Sequence, residues 1–189
     1  MHSVLASQEF KLSLLKKVGN KIAFYRMFYN LSSVVIFVLI YLLSPKPDFT
    51  IYDLPFPYDI IITILQITML FALLWASKFI NMKEFLGISQ IQRYRNNNYS
   101  NEDLDEKLEL RIEGPFKYSR HPIYLFSSLF LILRPTMDFF YLIFLINMLL
   151  YFYIGSYYEE RKLVKIFKKD YEEYQRSVPK IFPRIKLNG

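Results

Sequence analysis

The sequence has no cysteine and only two histidines among its 189 residues. Without cysteine, the chain can form no disulfide, no thiolate-bound metal centre and no thiol nucleophile. Two histidines also supply too few nitrogen ligands for a histidine-rich zinc site. We therefore expect a mechanism that needs no metal.

Hydrophobic residues make up 53% of the sequence and aromatic residues 19%, which exceeds the apolar share of an ordinary soluble domain. We therefore expect a membrane-embedded protein. The net charge of +7 comes from basic residues that flank the apolar segments rather than cover one soluble surface. This distribution favours anionic lipid headgroups over nucleic acid as the partner of the basic side chains.

Four apolar segments are predicted to form membrane helices. Phe24–Leu43, Tyr58–Ser77 and Phe139–Tyr158 each have about the 20 residues that a helix needs to cross the hydrocarbon core. Pro122–Leu133 would reach only about 18 Å, so it cannot cross alone as a straight helix. We expect it to turn back at Arg134 and form a C-terminal helical hairpin with the last segment. The predicted fold is an all-α integral membrane protein with about four transmembrane segments.

Lysine and arginine predict the orientation, because positively charged flanks remain on the cytoplasmic side. Basic residues are frequent before the first segment and after Tyr158, whereas the first connection has only Lys46. Both termini and the loop from Lys78 to Arg120 are therefore expected in the cytoplasm. Residues 1–21 lack the apolar centre of a signal peptide, so the first membrane helix is expected to direct insertion.

The chain beyond Tyr158 is predicted to form a cytoplasmic amphipathic helix. Leu163, Phe167, Tyr171 and Tyr174 recur at helical spacing between charged residues. Packing or membrane contact is the expected role of this stripe. We divide the chain into an N-terminal part, residues 1–100, and a part that carries the chemistry, residues 101–189.

Three motifs follow one another in the second part. Arg120-His121-Pro122 precedes the short apolar segment, Glu159-Glu160 follows the last one, and Tyr171–Tyr174 leads to Val178-Pro179. In this order they resemble the isoprenylcysteine carboxyl methyltransferase family of integral membrane enzymes, which has relatives among the phospholipid methyltransferases. The resemblance covers residues 105–184.

The resemblance implies methyl transfer from S-adenosylmethionine to a lipophilic or membrane-associated acceptor, with carboxylate, amine, thiol and phenol all open as the accepting group. An amine or thiol must lose a proton around the transfer, and His121, Glu160 or a tyrosine can assist this step. We select Glu160 and Tyr124 as the candidate catalytic residues. The residues implied to bind the cofactor are Leu108, Glu109, Leu110, Arg111, Phe116, Arg120, His121, Pro122, Ile123, Tyr124 and Glu159.

One departure from the family concerns the acceptor. Eukaryotic prenylcysteine enzymes place an arginine shortly before the glutamate pair to meet the substrate carboxylate, whereas this chain has Gly155-Ser156-Tyr157-Tyr158. A lipid amine, a thiol or a phenolic headgroup is therefore as plausible an acceptor as a carboxylate.

Other interpretations remain open at this level. His121 and the tyrosines fit an interfacial aromatic belt, and Glu159 and Glu160 fit exposed carboxylates that pair with nearby lysines. Membrane sterol and steroid reductases share the Arg-His-Pro and Val-Pro motifs but bind NADPH and have more membrane segments. A scaffold without catalytic activity would bind no cofactor.

Overall fold

A computed structural model describes residues 8–100, 104 and 107–183. The helices are α1 (Gln8–Val18), α2 (Tyr25–Leu43), α3 (Tyr58–Ser77), α4 (Met82–Leu86), α5 (Ile88–Arg95), α6 (Pro122–Ile132), α7 (Phe139–Phe167) and α8 (Lys169–Ser177). Two 3₁₀ helices cover Gly19–Phe24 and Gly114–Lys117, and two strands cover Thr50–Asp53 (β1) and Thr136–Asp138 (β2).

The chain divides into two compact units. The first comprises the residues up to Ser44 together with Ile80–Glu109, and the second comprises Pro45–Phe79 together with Leu110–Gly189. The second unit contains the Arg-His-Pro motif and the glutamate pair. The functional boundary at residue 100 stays a prediction, because compactness does not test where the chemistry lies.

Three helical stretches in the described chain are long and apolar enough to cross a membrane: Phe10–Leu43, Tyr58–Ser77 and Phe139–Phe167. No side chain of α2 is buried, and its apolar surface is what lipid would cover. The prediction of a mainly helical chain with membrane-length segments is thereby confirmed. At 11 residues, α6 is shorter than a span, so the count of four and the hairpin stay predictions.

The second unit also contains a small sheet that the all-α prediction did not include. Strands β1 and β2 pair antiparallel, with Tyr52 opposite Met137. Met137 packs with Tyr141 and Leu145 in a buried apolar cluster. The side chain of Asp138 accepts a hydrogen bond from the Tyr141 amide and so caps α7. The sheet thus fixes the start of the helix that carries the glutamate pair.

Helices α3 and α6 pack extensively against each other. Gln66, a polar residue in an otherwise apolar span, donates its side-chain amide to the Phe130 carbonyl at 3.0 Å. This bond compensates for placing an amide among apolar side chains. It also holds α6, and therefore the Arg-His-Pro motif at its beginning, against a membrane-length helix.

In the first unit, α4 and α5 meet at Gly87, which has a φ of +87°. A Cβ there would lie 2.8 Å from the Met27 amide nitrogen, so only glycine fits this close approach. Beside the turn, the buried Glu84 carboxylate pairs with Arg93 at 2.5 Å and accepts from Gln90 at 3.1 Å.

Candidate active site

Helix α7 continues without a break beyond the apolar stretch. It runs from Phe139 to Phe167 and ends at Lys168, whose φ is +49°. Helix α8 begins directly afterwards, and its Tyr171 and Tyr174 are buried. The predicted amphipathic stripe is therefore divided between two helices. Glu159 and Glu160 lie on the long helix itself, directly after its apolar segment.

His121 lies between these two carboxylates. It precedes Pro122, the first residue of α6, and its backbone is not helical, as expected for a residue before proline. The imidazole is buried, with Nδ1 3.4 Å from Glu159 Oε2 and Nε2 3.3 Å from Glu160 Oε1. Both ring nitrogens therefore face a carboxylate, and a protonated ring can donate to both.

The surroundings of His121 raise its pKa above the ordinary value of 6.5. Burial by itself lowers that pKa, because it disfavours the charged ring, but the hydrogen bonds and charges of Glu159 and Glu160 outweigh this effect. The imidazole is thus a stronger proton acceptor than a solvated histidine.

Tyr124 joins the imidazole to an aromatic stack. Its ring lies parallel to His121 with centroids 5.4 Å apart, and parallel to Phe152 of α7 with centroids 5.2 Å apart. Its hydroxyl donates to Glu159 Oε2 at 3.1 Å. Because half of the Glu159 side chain is exposed, at 47%, this carboxylate is the accessible member of the pair.

Arg120 is committed to contacts within the protein. Its Nη2 lies 2.7 Å and its Nε 2.8 Å from Glu160 Oε1, and its Nη1 donates to the carbonyls of Gln175 and Val178. Both side chains of the ion pair are nearly buried, with exposures of 10% and 12%. With its donors used in this way, Arg120 is a poor candidate for direct cofactor contact.

The backbone around Arg120 is tied to a segment that we call the C-terminal strap, Val178–Lys180. The amides of Arg120 and His121 donate to the carbonyls of Pro179 and Lys180, both at 3.0 Å. The Lys180 ammonium lies 5.1 Å from the Tyr153 ring centroid on α7. The strap therefore connects the Arg-His-Pro motif to α7 and holds His121 in place.

The buried tyrosines of α8 complete the cluster. Tyr174 donates to the Phe116 carbonyl, whereas the buried Tyr171 hydroxyl has no hydrogen-bond partner among the described residues. Burial raises the pKa of Tyr174 to about 12, with the charge of Arg120 opposing the rise, and burial together with Glu160 raises the pKa of Tyr171 still further. Both hydroxyls remain protonated donors at neutral pH.

The other residues implied by the resemblance lie between positions 108 and 123 of the sequence. Leu108 and Glu109 belong to the first unit, and their role toward a cofactor stays a prediction. Arg111 donates to the Phe79 carbonyl, and Pro122 is buried at the start of α6. Phe116 contributes its carbonyl to Tyr174, and Ile123 is partly buried in the first turn of α6.

Phe152 and Gln175 were not predicted from the sequence, and Val178-Pro179 was predicted only as the end of a motif, without a contact to Arg120 or His121. Phe152 stands two helical turns before Glu159, so a search at spacings of three, four and seven residues on α7 would have found it. Gln175 donates its side-chain amide to Glu160 Oε2 at 3.3 Å, and its carbonyl accepts from Arg120. The strap binds the amides of Arg120 and His121 through carbonyls, which every residue possesses, so no sequence pattern marks these two bonds.

The side chains of this cluster fit the aromatic and cationic parts of S-adenosylmethionine. The exposed Glu159 carboxylate and the aromatic rings beside it suit the sulfonium, whose methyl group must lie next to the acceptor. Arg120, His121, Glu159 and Glu160 sum to a charge of about −1 when the imidazole is neutral, which complements a cofactor of net charge about +1. Among the described residues, no group of three acidic or histidine side chains is arranged to hold a metal ion.

No family model and no solved structure matches the chain significantly. It is similar to a methanethiol S-methyltransferase 1 of Bradyrhizobium diazoefficiens, 28% identical over 188 residues, with 96% of this chain and 62% of the relative covered. A methanethiol S-methyltransferase of Crocosphaera subtropica is 27% identical over 193 residues, which cover 97% and 70% of the two chains. A third relative with this name, from Pseudomonas deceptionensis, is 33% identical over 73 residues, or 39% of this chain and 28% of the relative.

The chain thus spans 62% and 70% of the length of the two relatives that match nearly all of its own sequence. All three relatives are methyltransferases by name, as the Arg-His-Pro and glutamate motifs predicted. The resemblance to membrane methyltransferases that the motifs predicted is thereby confirmed as a similarity to methyltransferases.

Proposed function

We propose that the chain is an S-adenosylmethionine-dependent membrane methyltransferase whose acceptor is a small thiol. The observation that carries this proposal is the buried His121 held between Glu159 and Glu160, with Tyr124 stacked on it and bonded to Glu159. The names of the relatives favour a thiol over the other acceptors.

Several residues of the second unit would hold the cofactor. Glu159 offers an exposed carboxylate, and Tyr124 and Phe152 offer parallel aromatic faces beside it. When bound, the cofactor supplies an electrophilic methyl group on a sulfonium. The protein's contribution is to align the acceptor with that methyl and to exclude water, which are the main sources of rate in a displacement of this kind.

A thiol acceptor must also lose its proton. Glu159 is the accessible acceptor, and its Oε2 lies 3.4 Å from His121 Nδ1, so a proton taken from the thiol can pass to the imidazole. Glu160 then stabilises the imidazolium from the Nε2 side. In this scheme Tyr124 and Glu159 contact the reactants, and Glu160 acts as a positioning residue through His121.

Titration of detergent-purified protein with S-adenosylhomocysteine, and separately with NADPH, tests the cofactor. We expect saturable binding of the first only. Binding of NADPH alone would support the reductase, and no binding by folded protein would support the scaffold. Methyl transfer from isotopically labelled S-adenosylmethionine to methanethiol, followed as volatile dimethyl sulfide, tests the acceptor.

Variants separate the site from the rest of the surface. Glu159→Gln is expected to lower kcat/KM at least about tenfold, because it removes the proton acceptor. Glu173→Gln, an equivalent change at an exposed glutamate of α8, is the matched control and should retain activity. Equal activity in the two variants would contradict the proposed role of Glu159.

We also propose that both termini and the site face the cytoplasm, as the distribution of basic residues indicates. Because the chain has no cysteine, single cysteines report orientation without background labelling. Ser177→Cys should react with an impermeant maleimide only from the cytoplasmic side, and Asp48→Cys only from the opposite side. The reverse pattern would overturn the orientation.

A further inference from the structure

Gly155 is a glycine in the interior of the 29-residue helix α7. Glycine there is about 1 kcal/mol less favourable than alanine, so the missing side chain costs helix stability at this position. The residue is partly exposed and lies in the turn between Phe152 and Glu159.

Packing does not require glycine at this position. A Cβ on Gly155 would meet only the Tyr124 hydroxyl within 4 Å among the described neighbours, at an ordinary contact distance of 3.7 Å. At Gly114, by contrast, a Cβ would lie 2.3 Å from the Phe79 ring. Gly155 therefore leaves open space rather than permitting a close approach.

The space lies beside the proposed chemistry. Phe152, Gly155 and Glu159 are separated by three and four residues, so they share one face of α7. Tyr124 stacks on the Phe152 ring and donates its hydroxyl to Glu159. The missing side chain thus leaves a recess with an aromatic ring at one end, a carboxylate at the other and the Tyr124 hydroxyl opposite.

We infer that Gly155 determines acceptor size, and that its recess receives the alkyl group of a small uncharged thiol. The inference rests on the proposed function and deepens it. Two aromatic rings favour an apolar group, and the Glu159 carboxylate repels an anionic acceptor. The same carboxylate stands where the thiol proton must be accepted. Any side chain at position 155 would occupy the volume that the acceptor needs.

The test compares kcat/KM for methanethiol and 1-propanethiol in wild-type protein, Gly155→Ala and Gly155→Leu, with affinity for S-adenosylhomocysteine measured in parallel. We expect Gly155→Ala to lower the 1-propanethiol to methanethiol ratio at least about tenfold, since one methylene in a pocket is worth that much. Gly155→Leu should reduce methylation of both thiols. Cofactor affinity should stay within about twofold for Gly155→Ala.

Ile154→Ala is the matched control, because it places the same methyl side chain at the neighbouring exposed position and should leave the ratio unchanged. If Gly155→Leu fails to fold, Gly155→Ala decides, since alanine favours the helix. An unchanged ratio in Gly155→Ala, or a loss of cofactor affinity that matches the loss of activity, would overturn the inference while the proposed function stands. A folded wild-type protein that binds the cofactor but methylates no thiol would overturn both.

Discussion

Replacing Arg120 with alanine tests whether this residue supports the site or binds the cofactor. The guanidinium is 10% exposed and pairs with Glu160, which is 12% exposed, while Nη1 binds two carbonyls of the C-terminal region. Removing one partner of a buried ion pair costs about 3–5 kcal/mol, because the other charge stays buried without compensation. For a chain of this length that corresponds to a fall of roughly 10 °C in the unfolding temperature.

Thermal unfolding in detergent measures this loss, and S-adenosylhomocysteine titration below the transition measures the site. Glu160→Gln added to Arg120→Ala should recover part of the stability, because a neutral amide needs no counter-charge. Arg161→Ala is the control. Arg161 is an exposed residue of α7, next to Glu160, and its guanidinium lies 5.7 Å from the Tyr157 ring centroid. Its loss should lower the free energy of unfolding by no more than about 1 kcal/mol.

A supporting role for Arg120 would be wrong if Arg120→Ala keeps the wild-type unfolding temperature but loses cofactor affinity. That result would make Arg120 a direct cofactor contact, as the family resemblance implies. A lower unfolding temperature with near-normal affinity at low temperature would instead identify Arg120 as the residue that fastens the strap.

Two further predictions concern titration and buried hydroxyls. Because the pKa of His121 is raised, the folded protein binds this proton more tightly than the unfolded chain, so the added stability is full below pH 6.5 and is lost as the pH rises through the folded-state pKa. As the pH rises through the folded-state pKa, the unfolding temperature of the wild type should therefore fall relative to that of His121→Gln. A difference between the two proteins that does not change with pH would contradict the raised pKa of His121. Tyr174→Phe removes the hydrogen bond to Phe116 and should cost about 1 kcal/mol, whereas Tyr171→Phe removes a buried hydroxyl without a described partner and should not destabilise the protein. Equal losses in chemical denaturation would disprove this distinction.

The sequence predicted the residues of the cluster better than their roles. Arg120, His121, Glu159 and Glu160 could be selected from their motifs, and the structure brings all four together. Their division of labour depends on distances between α6 and α7, since consecutive glutamates on a helix face directions about 100° apart. Only the folded chain shows that Glu160 pairs with Arg120 while Glu159 remains accessible.

The end of α7 and the pairing of the two strands could not be predicted from the sequence. Hydropathy predicted the end of the apolar segment at Tyr158, but the following glutamates, lysines and leucine are good helix formers, so α7 continues to Phe167. The pairing of β1 with β2 escaped prediction, because strands of four and three residues carry too little periodicity to recognise.

Helix α7 is a continuous rod about 43 Å long, whereas the hydrocarbon core of a bilayer measures about 30 Å. Its apolar part, Phe139–Tyr158, matches that thickness, and Glu159 stands on the next turn. In a thicker bilayer the carboxylate would be drawn toward hydrocarbon, and in a thinner one it would be lifted into headgroup water, at a cost of fractions of a kcal/mol per Å. Membrane thickness thus becomes a physical variable of the site, because it sets how far the Glu159 carboxylate lies from water without any change in the amino-acid sequence.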